Sequence, residues 1–355
     1  MTLTFRKDWR QGVAFAAAAM LTFACGGGPA ASNPGSQGTF TPDEVLKATG
    51  IHGVVPIYAV PKSLPKRLTL VFINPDLSVP TFKTWSQAME DAAKFYGVTL
   101  KESDVHHKFE DEATAFQTMQ AFKPDVVGTH PGNPALLAAT KAAGIPLITV
   151  DAAVEGNPYS LGLPNEKAGT LAGDFIVKAV QQKLQNEWKG RHVIYVGMTY
   201  KPCDACDARV NSALVSIRKA MNIPDSDVVI QSGGTGSTDH PQQTMADIIT
   251  AHPGDVFMIV GLNDQYAYGP VLALKAANKL QDGVAVGIGA DDTGLTALRS
   301  SEFNKTFIGT VDANPYAEGW NWVEAAVAVA NKDTFKPYDL NRLITPDNVN
   351  QTYPK

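Results

Sequence analysis

PALLAATKAAGIPLITVD, residues Pro134 to Asp151, reads as a helix running into a strand. The second half is a continuous apolar run closed by an aspartate. A strand buried on both faces looks like this, because the helices of βαβ crossovers cover a parallel sheet on each side. The same unit recurs in both directions along the chain. Upstream, RLTLVFI, VTLKES and PDVVGTH are strands separated by the helices FKTWSQAMEDAAKFYG and EATAFQTMQAF. Downstream, HVIYVGM, DVVIQS, DVFMIVG and VAVGIGA are strands separated by amphipathic stretches. The fold class this predicts is α/β, with doubly wound parallel sheets covered by helices, and the chain is long enough for two lobes.

In such sheets ligands sit beyond the carboxyl ends of the strands. Those ends are polar here: Asn74 and Asp76, then His130, Asp151, Asn263 with Asp264, Asp291, and Asp312 with Asn314. Any one of them reads first as a helix N-cap. Together they predict a cleft lined with hydrogen-bond acceptors, suited to hydroxyls or amines.

The N-terminus sets the compartment. Arg6, Lys7 and Arg10 precede the apolar run VAFAAAAMLTFAC, which is the pattern of an export signal. The run is shorter than the ~20 residues of a membrane span. Ala24-Cys25 followed by glycines resembles the lipobox of bacterial lipoproteins, with Thr22 and Phe23 departing from its pattern. The expectation is a signal peptide over 1–25, lipid on Cys25, and a Gly/Pro/Ser tether and lead-in over 26–65. Net charge is −5 without a basic block, which argues against nucleic acid as a partner.

Two further cysteines, Cys203 and Cys206, form C-x-x-C in KPCDACDARVN, Lys201 to Asn211. A zinc site would need two more ligands, for which Asp204 and Asp207 are crowded candidates. A redox dithiol would lie at a helix start after a strand, roughly where this pair lies. Outside the cytosol such a pair is more often oxidised, so a disulfide just ahead of Arg209 is the expectation.

With these stretches in view, the chain resembles the type I periplasmic binding proteins of ABC importers, the ribose- and galactose-type sugar binders. The pieces that carry the resemblance are Ala142–Asp151, Pro164–Ile176, Gly261–Lys279 and Val286–Thr293. It implies a three-segment hinge between an N-lobe over 66–163, completed by 313–341, and a C-lobe over 164–312, with a tail over 342–355. It implies ligand contacts from Asp151, Arg209, Asn263 and Asp291, and stacking from Phe82 with Trp85 one turn on. Asn74, His130, Asp264, Asp312 and Asn314 join this set as strand-end candidates. Ala152 stands where sugar binders often carry arginine, and Val79-Pro80-Thr81-Phe82 replaces their more aromatic stretch, which makes ribose itself doubtful.

The expected function is capture of a monosaccharide or related polyol by an exported, lipid-anchored monomer that feeds an ABC permease. It needs neither cofactor nor metal. A nucleoside or signalling solute, a chemoreceptor-feeding sensor, and an exported redox or metal protein using Cys203 and Cys206 are the alternatives. Two-lobed transcriptional regulators share the core, but a signal and tether stand where their DNA-binding helices would be. No G-x-S-x-G, H-E-x-x-H or phosphate-binding loop is present. The adjacent His106 and His107 read as surface residues.

Overall fold

The computed structural model describes residues 38–162, 164–201, 203–234, 237–337 and 342–355. The signal segment, Cys25 and the first part of the tether lie outside them.

The first sheet comprises β1 (Thr69–Asn74), β2 (Thr99–Asp104), β3 (Val126–Thr129), β4 (Leu147–Val150) and β5 (Ser160–Leu161). Their order is β2-β1-β3-β4-β5 and every pairing is parallel. Among and before these strands run α1 (Pro42–Thr49), α2 (Pro80–Tyr96), α3 (Glu112–Met119) and α4 (Pro134–Ala142). Both faces of the sheet are apolar. On β1, Leu70 and Phe72 pack into one core with Trp85, Trp320 and Trp322, while Val71 and Ile73 pack into another with Phe116, Val127 and Leu136. The period of two along a strand sends alternate residues to opposite faces, and each face has its own helical cover.

The second lobe opens with α5 (Asn165–Gln185) and β6 (Val193–Thr199), then α6 (Asp204–Met221), β7 (Val228–Ser232), α7 (Asp239–Ala251) and β8 (Val256–Gly261). It continues with α8 (Asp264–Ala276), β9 (Gly283–Gly289), α9 (Asp292–Arg299) and β10 (Phe307–Asp312). After β10 the chain turns back: α10 (Pro315–Ala330) packs on α2, with the Trp322 ring edge-on to Phe72. The tail then returns to the second sheet as β11 (Arg342–Ile344), antiparallel to β10, followed by α11 (Val349–Thr352). The sheet order is β11-β10-β9-β8-β6-β7, parallel except at β11. Two doubly wound, largely parallel lobes with interleaved connections are the fold class expected from the sequence.

The lead-in corrects the expected tether. Residues from Gly38 onward are folded onto the first lobe: Val45, Val54 and Val60 are buried, and Phe40 packs on Phe95. The buried carboxylate of Glu324 accepts from the Ile57 N–H at 2.9 Å and from the Tyr96 hydroxyl at 2.6 Å. Thr41 and Glu44 form a capping box that starts α1, and the apolar residues that follow it pack on the lobe. Among the described residues, no helix is long and apolar enough to cross a membrane.

Candidate functional site

A cavity lies between the lobes, at the carboxyl ends of both sheets, where the α/β rule places ligands. Water centres can occupy about 70 Å³ of it, several times the roughly 10–15 Å³ that one ordered water needs. It accommodates a small organic molecule.

Its polar end is built around Arg209. α5 crosses α6 so closely that a Cβ on Gly169 would stand 2.0 Å from the Arg209 carbonyl oxygen, so only glycine permits this packing. Held there and buried, the guanidinium donates Nε to Asn165 Oδ1 at 2.6 Å, Nη1 to the Leu262 carbonyl at 3.0 Å and Nη2 to Asp151 Oδ2 at 3.0 Å. Asp151 follows β4 with φ at 59°, and its carbonyl accepts from Asn165 Nδ2 at 2.6 Å. One arginine of the second lobe thus holds an aspartate of the first in a charge-assisted contact.

Glu318, from α10, completes this end. Its Oε2 accepts from Trp85 Nε1 at 2.9 Å. Its other oxygen faces Asp151 across Gly162, whose φ is 131°. A Cβ there would stand 2.7 Å from Asp151 Oδ1 and 2.9 Å from Glu318 Oε1, so no larger residue fits. Burial, followed by the charge of Asp151, pushes the Glu318 carboxyl well above the usual range. Two carboxylates so close in a low dielectric do not both ionise, so Glu318 carries the proton and donates it to Asp151. His130 stands beside them with Nδ1 at 2.8 Å from the Val150 carbonyl. A carbonyl only accepts, so this nitrogen carries a hydrogen and Nε2 is left as an acceptor. Burial lowers the His130 pKa, keeping the ring neutral.

Rings extend from this end to the other. His130 lies 5.5 Å from Trp85 and 5.3 Å from Phe82, and Phe82 lies 6.3 Å from His107. Beyond stand Phe109 and Tyr200, each within about 6.5 Å of His107. Cys203 and Cys206 are joined in a disulfide, with Cys203 capping the start of α6, and both line the cavity. Asn263 and Tyr266, at the start of α8, close the wall.

The sequence profile of the periplasmic binding protein domain matches residues 70–334. The chain belongs to this family. As a periplasmic binding protein, it is similar to an ABC transporter solute-binding protein from Mycobacterium smegmatis with bound glycerol, at 20% identity and a TM-score of 0.69. That match covers 82% of this chain and 98% of the other. It is similar to one from Actinobacillus succinogenes 130z with bound D-allose, at 18% identity and a TM-score of 0.68, over 80% of this chain and 100% of that one. A third, from Bacillus halodurans C-125 with bound myo-inositol, matches at 19% identity and a TM-score of 0.67, over 81% of this chain and 98% of that one. No curated protein matches by sequence.

In this binding protein Asp151, Arg209, Asn263, Phe82 and His130 stand in the cavity wall. The other candidates have different employment. Asp291 caps α9 through Thr293 N–H at 2.9 Å and accepts from Gln265 and Thr81, off the wall. Asp264 is wholly buried behind it, accepting the Asp291 N–H at 2.9 Å in space left by Gly287 and Gly294. Asn74 donates to Glu102 at 2.7 Å inside the first lobe. Trp85 is buried behind Phe82, with its N–H on Glu318. Asp312 is enclosed by Tyr353, Arg342 and the Asn314 N–H, and Asn314 caps α10. At these strand ends backbone N–H groups and neighbouring side chains claimed the oxygens first.

The histidine pair divides. His106 is 75% exposed, as expected, but His107 is only 11% exposed, binds Asp76 at 2.7 Å and lines the cavity. The expectation of two surface histidines is corrected at His107: positive φ at both residues turns the chain so that the second ring folds inward. Glu318 was also missed. Its signal is an acid within the apolar helix PYAEGWNWVEAAVAVA, where burial must be offset by a partner.

Proposed function

We propose that this chain is the extracytoplasmic solute-binding component of an ABC importer, closing its two lobes on a monosaccharide or related polyol. The observation that carries this reading is the Asp151–Arg209 contact with Glu318 and Asn263 beside it. Donors and acceptors from both lobes converge on one enclosed point and are flanked by rings. Carboxylates accept from ring hydroxyls, guanidinium donates to them, and aromatic faces cover apolar C–H surfaces. Family membership and the bound glycerol, allose and inositol of its structural relatives support the same class. The role is binding rather than catalysis. The partners are the solute and a membrane permease, with the monomer held to the membrane by lipid on Cys25.

Ligand-dependent melting tests this reading, since a solute that binds only the native state raises the midpoint. A panel of pentoses, hexoses, inositols and their substituted derivatives should contain compounds that raise it with saturation. A flat response across the whole panel removes the sugar reading. For the anchor, wild type should partition into detergent and Cys25→Ser should not.

A further inference from the structure

The cavity is chemically two-ended, and this says more about the solute than its family does. The polar groups gather at one end, where Arg209 Nη2 meets Asp151 Oδ2 at 3.0 Å and Trp85 Nε1 holds Glu318 at 2.9 Å. The far end is made of Phe109, Tyr200 and the Cys203–Cys206 disulfide, with Tyr200 bound to the disulfide turn through Cys203 N–H at 2.9 Å. His107 belongs to this end by its ring, 5.7 Å from Phe109 and 6.3 Å from Tyr200, and its Nδ1 is engaged by Asp76 at 2.7 Å. Phe82 is the junction, 5.3 Å from His130 and 6.3 Å from His107.

A bare monosaccharide carries hydroxyls all round its ring. Those turned toward the Phe109 and Tyr200 rings and the disulfide would leave water for largely apolar surface, where the Tyr200 hydroxyl and His107 Nε2 are too few to serve a full set. A buried hydroxyl without a partner opposes binding. An apolar group in the same place releases water from both surfaces, and an aromatic or thioether group adds ring and sulfur contacts.

We propose, building on the sugar-type reading above, that the solute is a polyhydroxylated ring bearing an apolar substituent, alkylthio or aryl. Its hydroxyls meet Asp151, Arg209 and Glu318, and its substituent lies between Phe109, Tyr200 and the disulfide.

The test is calorimetric titration with matched pairs: D-ribose against 5-methylthioribose and adenosine, and D-glucose against phenyl β-D-glucopyranoside. At least one substituted compound should bind tenfold or more tightly than its parent. Phe109→Ala should shrink that ratio toward one, by weakening the substituted compound more than its parent, while the variant keeps the wild-type circular dichroism. Tyr200→Ala should do the same independently. A parent sugar that binds as tightly as its substituted partner overturns this inference and leaves the sugar reading standing. Binding by none of the compounds overturns both.

Discussion

The hydroxyl of Thr81, in the first lobe, donates to Asp291 Oδ2, in the second, at 3.0 Å. It is a latch between the lobes, made by the aspartate for which the family resemblance implied a ligand contact. Thr81→Val keeps the shape of the side chain and removes the donor. A hydrogen bond of this kind is worth about 0.5–1.5 kcal/mol net, so solute affinity should fall roughly two- to tenfold. Small-angle scattering of the variant should show a larger open fraction at a given solute concentration. Unchanged affinity and unchanged scattering would remove the latch.

Arg209 should matter more. Arg209→Ala takes away donors to Asp151, Asn165 and the Leu262 carbonyl together. Losing a charged, buried hydrogen-bond partner costs about 1.5–3 kcal/mol, roughly a tenfold to hundredfold loss of affinity. The melting temperature should fall as well, because Asp151 is left beside Glu318 without its cation. An unaltered titration isotherm would show that the solute sits elsewhere.

Glu318 makes stability depend on pH with a definite sign. Its folded-state pKa lies well above the ordinary value because of burial and then Asp151. The folded state therefore keeps a proton that the unfolded chain releases above about pH 4.3. The contribution is fully present below that value and is lost as pH rises toward the folded pKa. Glu318→Gln keeps the donor to Asp151 and the acceptor for Trp85 without the titration. As pH rises above about 4.3 the variant should gain melting temperature relative to wild type, with the gap widening toward the folded-state pKa of Glu318. A gap that is constant or narrows would contradict the shared proton.

The disulfide encloses a very short loop, so removing it should cost little global stability. It stands one helical turn before Arg209 and forms part of the cavity wall. A Cys203→Ser/Cys206→Ser variant should melt close to wild type and bind its solute measurably more weakly, through lost preorganisation and lost contact surface. Two free thiols in the native protein by intact-mass measurement would contradict the bridge.

The lobes were legible because strands buried on both faces write continuous apolar runs, and helices between them write a different period. IPLITVD and VAVGIGA show this directly, as β4 and β9. The site was legible where chemistry demanded a scarce residue type, as at Arg209 opposite Asp151. It was not legible where one residue type serves two purposes. Asn263, Asp291 and Asn314 all cap helices, and sequence does not reveal whether such a side chain also faces a cavity. Asn263 does, while the other two turn into the protein. His107 was hidden for another reason: its direction depends on backbone torsions that the neighbouring letters do not encode.

The interleaving of the lobes bears on how the chain is made. The first lobe lacks Trp320 and Trp322 until α10 has emerged, and β10 of the second lobe gains its outer neighbour from residues near the end. The first-lobe core is complete only once α10 is in place, and the second sheet only once β11 has paired with β10. Late completion lengthens the time during which the polypeptide stays unfolded and accessible to chaperones. The same interleaving makes the two lobes depend on each other's segments, so neither is expected to complete its core alone.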